Sequence, residues 1–130
     1  MADTQTTTKV GTFCWTELMT RDAAAAKKFY SELIGWTITD QEMGGMTYSF
    51  LTTPEGEQVG GMMQMDGPQF EGVPPHWMQY ILVEDVDDRA QKCTELGGKV
   101  KVPPTDIPNM GRFCVIEDPT GGVIALFQAK

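Results

Sequence analysis

The stretch from Thr16 to Trp36 appears twice in this chain, and the repetition limits what the chain can fold into. The first copy runs through β-capable residues, an aspartate, four alanines, a helical apolar face, a glycine and a tryptophan. That order predicts a strand, an N-cap, an amphipathic helix, a glycine stop and a further strand. A degenerate copy lies between Gln79 and Val100. Asp22 and Asp85 are 63 residues apart, and so are Leu33 and Leu96, and Gly35 and Gly98. Cap, core leucine and stop glycine each have a separate physical role, so their agreement at one spacing indicates a duplication. The later turns TPEG at 53–56 and DPTG at 118–121 are offset by 65, which predicts two extra residues in the strands between.

Each half reads as β, α, β, β, β. In the first half, residues 11–19 form a strand whose alternating faces are Phe13, Trp15, Glu17, Met19 and Cys14, Thr16, Leu18. Asp22 caps a helix whose packed stripe is Ala26, Phe29, Tyr30 and Leu33, and strands follow at 36–40, 46–53 and 59–65. Residues 66–76 are a connector rich in glycine and proline. The second half has a strand at 77–83 and a helix after Asp85 lined by Val86, Ala90, Cys93 and Leu96 or Gly97. Strands follow at 99–102, 112–117 and 123–128. Residues 103–111 (PPTDIPNMG) are expected to form a functional loop or lid. The predicted class is α+β, with two βαβββ modules at 11–65 and 77–128 behind a flexible tail at 1–10.

Charge and cysteine content exclude several functions. A net charge of −8 argues against nucleic acid as a partner and favours neutral or cationic small molecules. Three cysteines without a C-x-x-C spacing give no disulfide framework and point to a cytoplasmic location. No apolar run is long enough for a signal peptide core or a membrane span. Cys14 and Cys93 fall on packed faces and Cys114 has no histidine partner, so no thiol nucleophile is assigned.

Residues 22–36 (DAAAAKKFYSELIGW), 83–90 (VEDVDDRA), 95–100 (ELGGKV) and the DPTG turn together resemble the vicinal oxygen chelate superfamily. This superfamily includes glyoxalase I, extradiol dioxygenases and bleomycin-resistance proteins, and the wording is closest to uncharacterised glyoxalase-like proteins. The resemblance implies a curved half-barrel sheet with the helices outside and a concave cup inside. It also implies a divalent metal in that cup, held by His, Glu or Gln at set positions of the first and last strands. Those positions are Trp15, Gly60, Met78 and Ala125 here, none of which is a competent hard-metal ligand. A shifted site from His76 and Glu17 is one alternative; an ion pair between Glu17 and Arg112 is another.

The expectation is therefore a cup without metal or other cofactor, binding a small, partly apolar organic molecule. Trp15, Glu17, Met19, Met62, Met78, Tyr80 and Phe127 are expected to face inward, and all but Met19 are taken as ligand-binding residues. The bare backbone at Gly60-Gly61 would leave room for the ligand. Alternatively, the same residues fill the cup as a second core. The rival functions are a metal-dependent lyase, isomerase or dioxygenase with Glu17 as base or ligand, and a non-catalytic structural or partner-binding module. Homodimerisation through exposed sheet edges is also expected.

Overall fold

A computed structural model describes residues 9–130, so most of the predicted tail lies outside the described residues. The elements run β1 (Phe13–Thr20), α1 (Ala23–Ile34), β2 (Thr37–Met43), β3 (Met46–Thr52), β4 (Gln58–Gln64), β5 (His76–Leu82), α2 (Val86–Glu95), β6 (Lys99–Ile107), β7 (Gly111–Glu117) and β8 (Val123–Ala129). This is the predicted βαβββ order, twice. The connector is irregular apart from a single 3-10 turn at Pro68–Phe70. The chain divides into two compact units, one of Trp15–Trp77 and one of Met78–Lys130 with the residues leading up to Cys14. The second unit takes in the start of the chain because Gly11 N–H donates to Leu82 O and Leu82 N–H to Thr12 O, at 2.8 and 2.9 Å.

Within the first unit the strand order is β2-β3-β4-β1, with β1 parallel to β4 and the other pairs antiparallel. The second unit repeats it as β6-β7-β8-β5, with β5 parallel to β8. Helix α1 starts where the Asp22 carboxylate accepts from Ala25 N–H, and stops at Gly35, whose φ of 89° is a left-handed conformation suited to glycine. Below it lie Leu18, Leu51 and Met62, packed with Ala26, Tyr30 and Ile38. Helix α2 is capped in the same way by Asp85 and buries its Val86 and Ala90 against Cys114 and Leu126. A further tie was not foreseen. Gln64 Oε1 accepts from Ala23 N–H, and Gln128 Oε1 from Val86 N–H, so a glutamine ending the last strand of each module holds the first turn of its helix.

Three expectations need correction. Phe29 and Leu33 are 56% and 65% exposed, because Ala23, Ala26 and Tyr30 already span the face of α1 that meets the sheet. Residues 103–111 are not a lid. Strand β6 continues to Ile107 and pairs Thr105 with Phe113 and Ile107 with Gly111. Pro103 and Pro104, which lack an N–H, sit where the ladder is irregular. The third correction concerns register. The β6 pairing passes from Val100↔Ile116 to Val102↔Val115 to Thr105↔Phe113, taking in one extra residue at each step. The β4 pairing passes from Leu51↔Gly60 to Thr52↔Gln58, which leaves Val59 as one extra residue on that strand. Two insertions in the second module and one in the first carry the offset from 63 to 65 and back to 64. Gln64 and Gln128 are separated by that last value.

Candidate functional site

A strand directs alternate residues to opposite faces, so the register decides which side chains meet. In the first module Glu17 lies beside Gly61, which lies beside Phe50; Met19 lies beside Met63, which lies beside Tyr48. These residues, with Trp15, form the face away from α1. Met62 does not belong to it. It is fully buried among Leu18 and Leu51 under the helix, and Met63 occupies the place expected for it. The extra residue at Val59 is the cause, since a shift of one position turns every following side chain over.

A directed hydrogen-bond chain crosses this face. Trp15 Nε1–H donates to Tyr48 Oη at 2.8 Å, and Tyr48 Oη–H donates to Glu17 Oε2 at 2.6 Å. An indole can only donate, so the phenol accepts from Trp15 and its single proton points to the carboxylate. Glu17 is buried, at 5% exposure, which makes such a partner necessary. Among the described residues no buried side-chain polar atom lacks one. Phe50 braces the chain edge-on, 5.1 Å from the Tyr48 ring and 6.3 Å from that of Trp15.

The two glycines have separate reasons. A Cβ on Gly60 would lie 2.6 Å from Thr16 O, where β1 and β4 approach, and one on Gly61 would lie 1.9 Å from Tyr48 Oη. The room above Gly61 is thus taken by the phenol rather than left for a ligand, contrary to expectation. Arg112 is not the partner of Glu17. Its guanidinium grips Asp87 through two bonds of 2.8 and 3.0 Å and Asp106 through one of 2.8 Å. These bonds raise the Arg112 pKa, and the guanidinium holds Asp87 below the usual carboxylate range.

In the second module the face away from α2 carries Met78, Tyr80, Leu82, Ala125, Phe127, Phe113 and Val115. Tyr80 lies beside Ala125 and Phe127 beside Phe113. The Tyr80 and Phe113 rings are 6.4 Å apart. Met78, Tyr80 and Ala125 are buried, and Phe127 is partly so. Tyr48, Phe50, Met63 and Phe113 were missed by the sequence reading. The aromatics at 48 and 50, two apart in a predicted strand, were the available signal for the first two.

The family's metal positions can now be placed by register. Glu17 and Tyr80 are 63 apart, and their partners on the last strands are Gly61 and Ala125, so Gly61 replaces Gly60 as the counterpart of Ala125. The set becomes Trp15, Gly61, Met78 and Ala125, and its chemistry still does not fit a hard divalent metal. His76 opens β5 with Nδ1 2.9 Å from Pro74 O. Among the described residues no three His, Cys, Asp or Glu side chains are grouped so as to hold a metal ion. Burial raises the Cys14 pKa and pushes Cys114 up to about 11, so neither is a thiolate at neutral pH.

Fold and sequence together define the class. The profile of the Glyoxalase/Bleomycin resistance protein/Dioxygenase superfamily matches residues 12–126, and the chain belongs to that superfamily. A proposed glyoxylase, CFP32 of Mycobacterium tuberculosis, is 44% identical over 122 residues, which is 92% of this chain and 46% of CFP32. The anthracycline biosynthesis protein DnrV of Streptomyces peucetius is 30% identical over 132 residues, 91% of this chain and 47% of DnrV. The chain thus spans about half the length of these relatives. A methylmalonyl-CoA epimerase variant of Streptomyces coelicolor, solved with 2-nitronate-propionyl-CoA, shares the fold with a TM-score of 0.65 at 15% identity, over 93% of this chain and 96% of that one. The epimerase of Mycobacterium tuberculosis does so at 0.61 and 15%, over 95% and 92%. Among the described residues no helix is long and apolar enough to cross a membrane.

Proposed function

We propose that this domain binds a small, partly apolar organic molecule on the face carrying Trp15, Tyr48 and Glu17, without a bound metal. The observation that carries this is the hydrogen-bond chain itself. At the strand end where the superfamily's metal ligand is implied, this protein has a half-buried indole tied to a phenol and a buried carboxylate. Aromatic faces stack planar groups, and a buried carboxylate selects a ligand able to donate a hydrogen bond or carry positive charge. The negative net charge favours a cationic ligand in the same direction. DnrV belongs to anthracycline biosynthesis by name, and an anthracycline, planar and bearing an amino sugar, is a suitable first probe.

The test is a fluorescence titration of a protein whose Trp36 and Trp77 are replaced by phenylalanine, leaving Trp15 as the reporter. Saturable quenching by an anthracycline, weakened in Glu17→Gln, supports the reading. Elemental analysis of the purified protein accompanies it. Stoichiometric Ni, Zn, Mn or Fe, lost on Glu17→Gln, would sink the metal-free reading. A second reading rests on the same buried carboxylate: Glu17 acts as a general base in a glyoxalase-like reaction, with the Tyr48 hydroxyl setting its orientation. Turnover abolished by Glu17→Gln with probe binding retained would favour it.

A further inference from the structure

Helix α1 presents an apolar surface that its own module leaves uncovered. Phe29, Leu33, Ile34 and Trp77 are 56%, 65%, 45% and 38% exposed. They are continuous through Tyr30, whose ring is 5.0 Å from Phe29 and 5.6 Å from both Trp36 and Trp77. The duplication supplies a control. At the matching positions of the second module, Phe29 becomes Lys92 and Ala25 becomes Asp88 on α2, and Trp36, just past α1, becomes Lys99 at the start of β6. Leu33 keeps its counterpart, Leu96, which is 68% exposed, so the contrast between the modules lies at Phe29, Ala25 and Trp36. From the exposures, the four side chains offer roughly 400 Å² of apolar surface, about half of one partner's share of a standard interface.

We infer that this face is where a second copy of the chain docks, with the two α1 helices antiparallel about Phe29. Ala25, Phe29 and Leu33 form one exposed stripe spaced by four residues. A twofold axis at Phe29 lays Leu33 over Ala25 of the second copy, a large side chain into the gap above a small one. The same axis brings the Lys28 end of one helix alongside the Glu32 end of the other. Those two charges are 75% and 67% exposed and pair within one helix at 2.6 Å. The patch is flanked by Lys27, Lys28 and Glu32 and escapes the repulsion that the overall charge of −8 imposes elsewhere. The outer strands offer a poorer contact. β2 carries Asp40 and Glu42, and β6 carries Lys99, Lys101 and two prolines, all features that block edge pairing.

Sedimentation equilibrium over a concentration series tests this, on the whole chain and on Phe29→Lys, Leu33→Glu and Leu96→Glu. The expected result is a dimer whose dissociation constant rises roughly a hundred-fold in Phe29→Lys, since the twofold counts that contact from both sides, and rises also in Leu33→Glu. Leu96→Glu, at the matching position on α2, leaves it unchanged. Circular dichroism melting checks that each variant folds, and oxidation of Phe29→Cys gives a covalent dimer if the helices cross there. A monomer at every concentration overturns the inference. So does a dimer indifferent to both α1 variants, a dimer weakened equally by Leu96→Glu, or a folded Phe29→Cys protein that does not cross-link.

Discussion

Replacing Tyr48 by phenylalanine removes one oxygen and tests the assignment of the first-module site. That oxygen accepts from the Trp15 indole and donates to the Glu17 carboxylate. A hydrogen bond to a charged, buried group contributes about 1.5–3 kcal/mol, and a half-buried indole N–H left without its acceptor adds about 0.5–1 kcal/mol. Glu17 has a further interaction besides the one with Tyr48, so the carboxylate is not stripped bare and the lower half of the range applies. The expected loss is about 2–3 kcal/mol, or roughly 6–18 °C in Tm for a domain of this size. The assay is a double-mutant cycle by urea denaturation with Tyr48→Phe, Glu17→Gln and the pair. A coupling of about 1–2 kcal/mol is expected between the two sites. If Tyr48→Phe lies within about 0.5 kcal/mol of the parent and the cost of Glu17→Gln is the same in both backgrounds, the chain is not holding the carboxylate and the argument fails.

The register assignment predicts a contrast between neighbours: Met62→Ala should cost about 2–5 kcal/mol because the side chain is fully enclosed under α1, and half-buried Met63→Ala clearly less. Equal costs in denaturation would refute the assignment. Gly61→Ala drives a methyl into the Tyr48 phenol, so it should destabilise by about 1–3 kcal/mol, with less added cost once Tyr48 is alanine. Burial raises the Cys114 thiol from 9.0 to about 11, so the native state holds this proton where the unfolded chain has lost it. Its contribution is therefore complete below pH 9 and lost as the pH rises from 9 to about 11. Cys114→Ala should flatten the fall in denaturation midpoint over that interval.

Much of the fold was legible because a few residues carry their instruction locally. Asp22 and Asp85 cap, Gly35 stops a helix by its backbone geometry, and the Pro-Glu-Gly and Pro-Thr-Gly turns break strands. The site was less so. Trp15 and Glu17 were assigned to the right face of β1, as were Met78, Tyr80 and Phe127 to the face away from α2, since parity along an unbroken strand needs only counting. Met62 was lost at Val59, because a bulge leaves no mark in a strand of β-capable residues and a single uncounted residue inverts the face. The lid at 103–111 failed for a related reason: prolines that end a central strand are tolerated at the irregular positions of an outer one. Tyr48 escaped notice because its role arises from three strands meeting.

The duplication also explains why one module, rather than both, carries the polar chain. Glu17 corresponds to Tyr80 at the common spacing, and Trp15 to Met78. Both modules need a strand beside a parallel last strand, and both supply a small residue there, Gly61 and Ala125. The second module can keep its alanine because Phe113, at the place of Tyr48, has no hydroxyl to reach across it. The first cannot, because Tyr48 must cross Gly61 to reach Glu17. The glycine is thus a consequence of the carboxylate. A buried glutamate demands a donor, the donor comes from β3 across β4, and the strand between has to give up its side chain. Glu17, Tyr48 and Gly61, on three strands, are therefore coupled, and it is on this constellation that the proposed binding role rests.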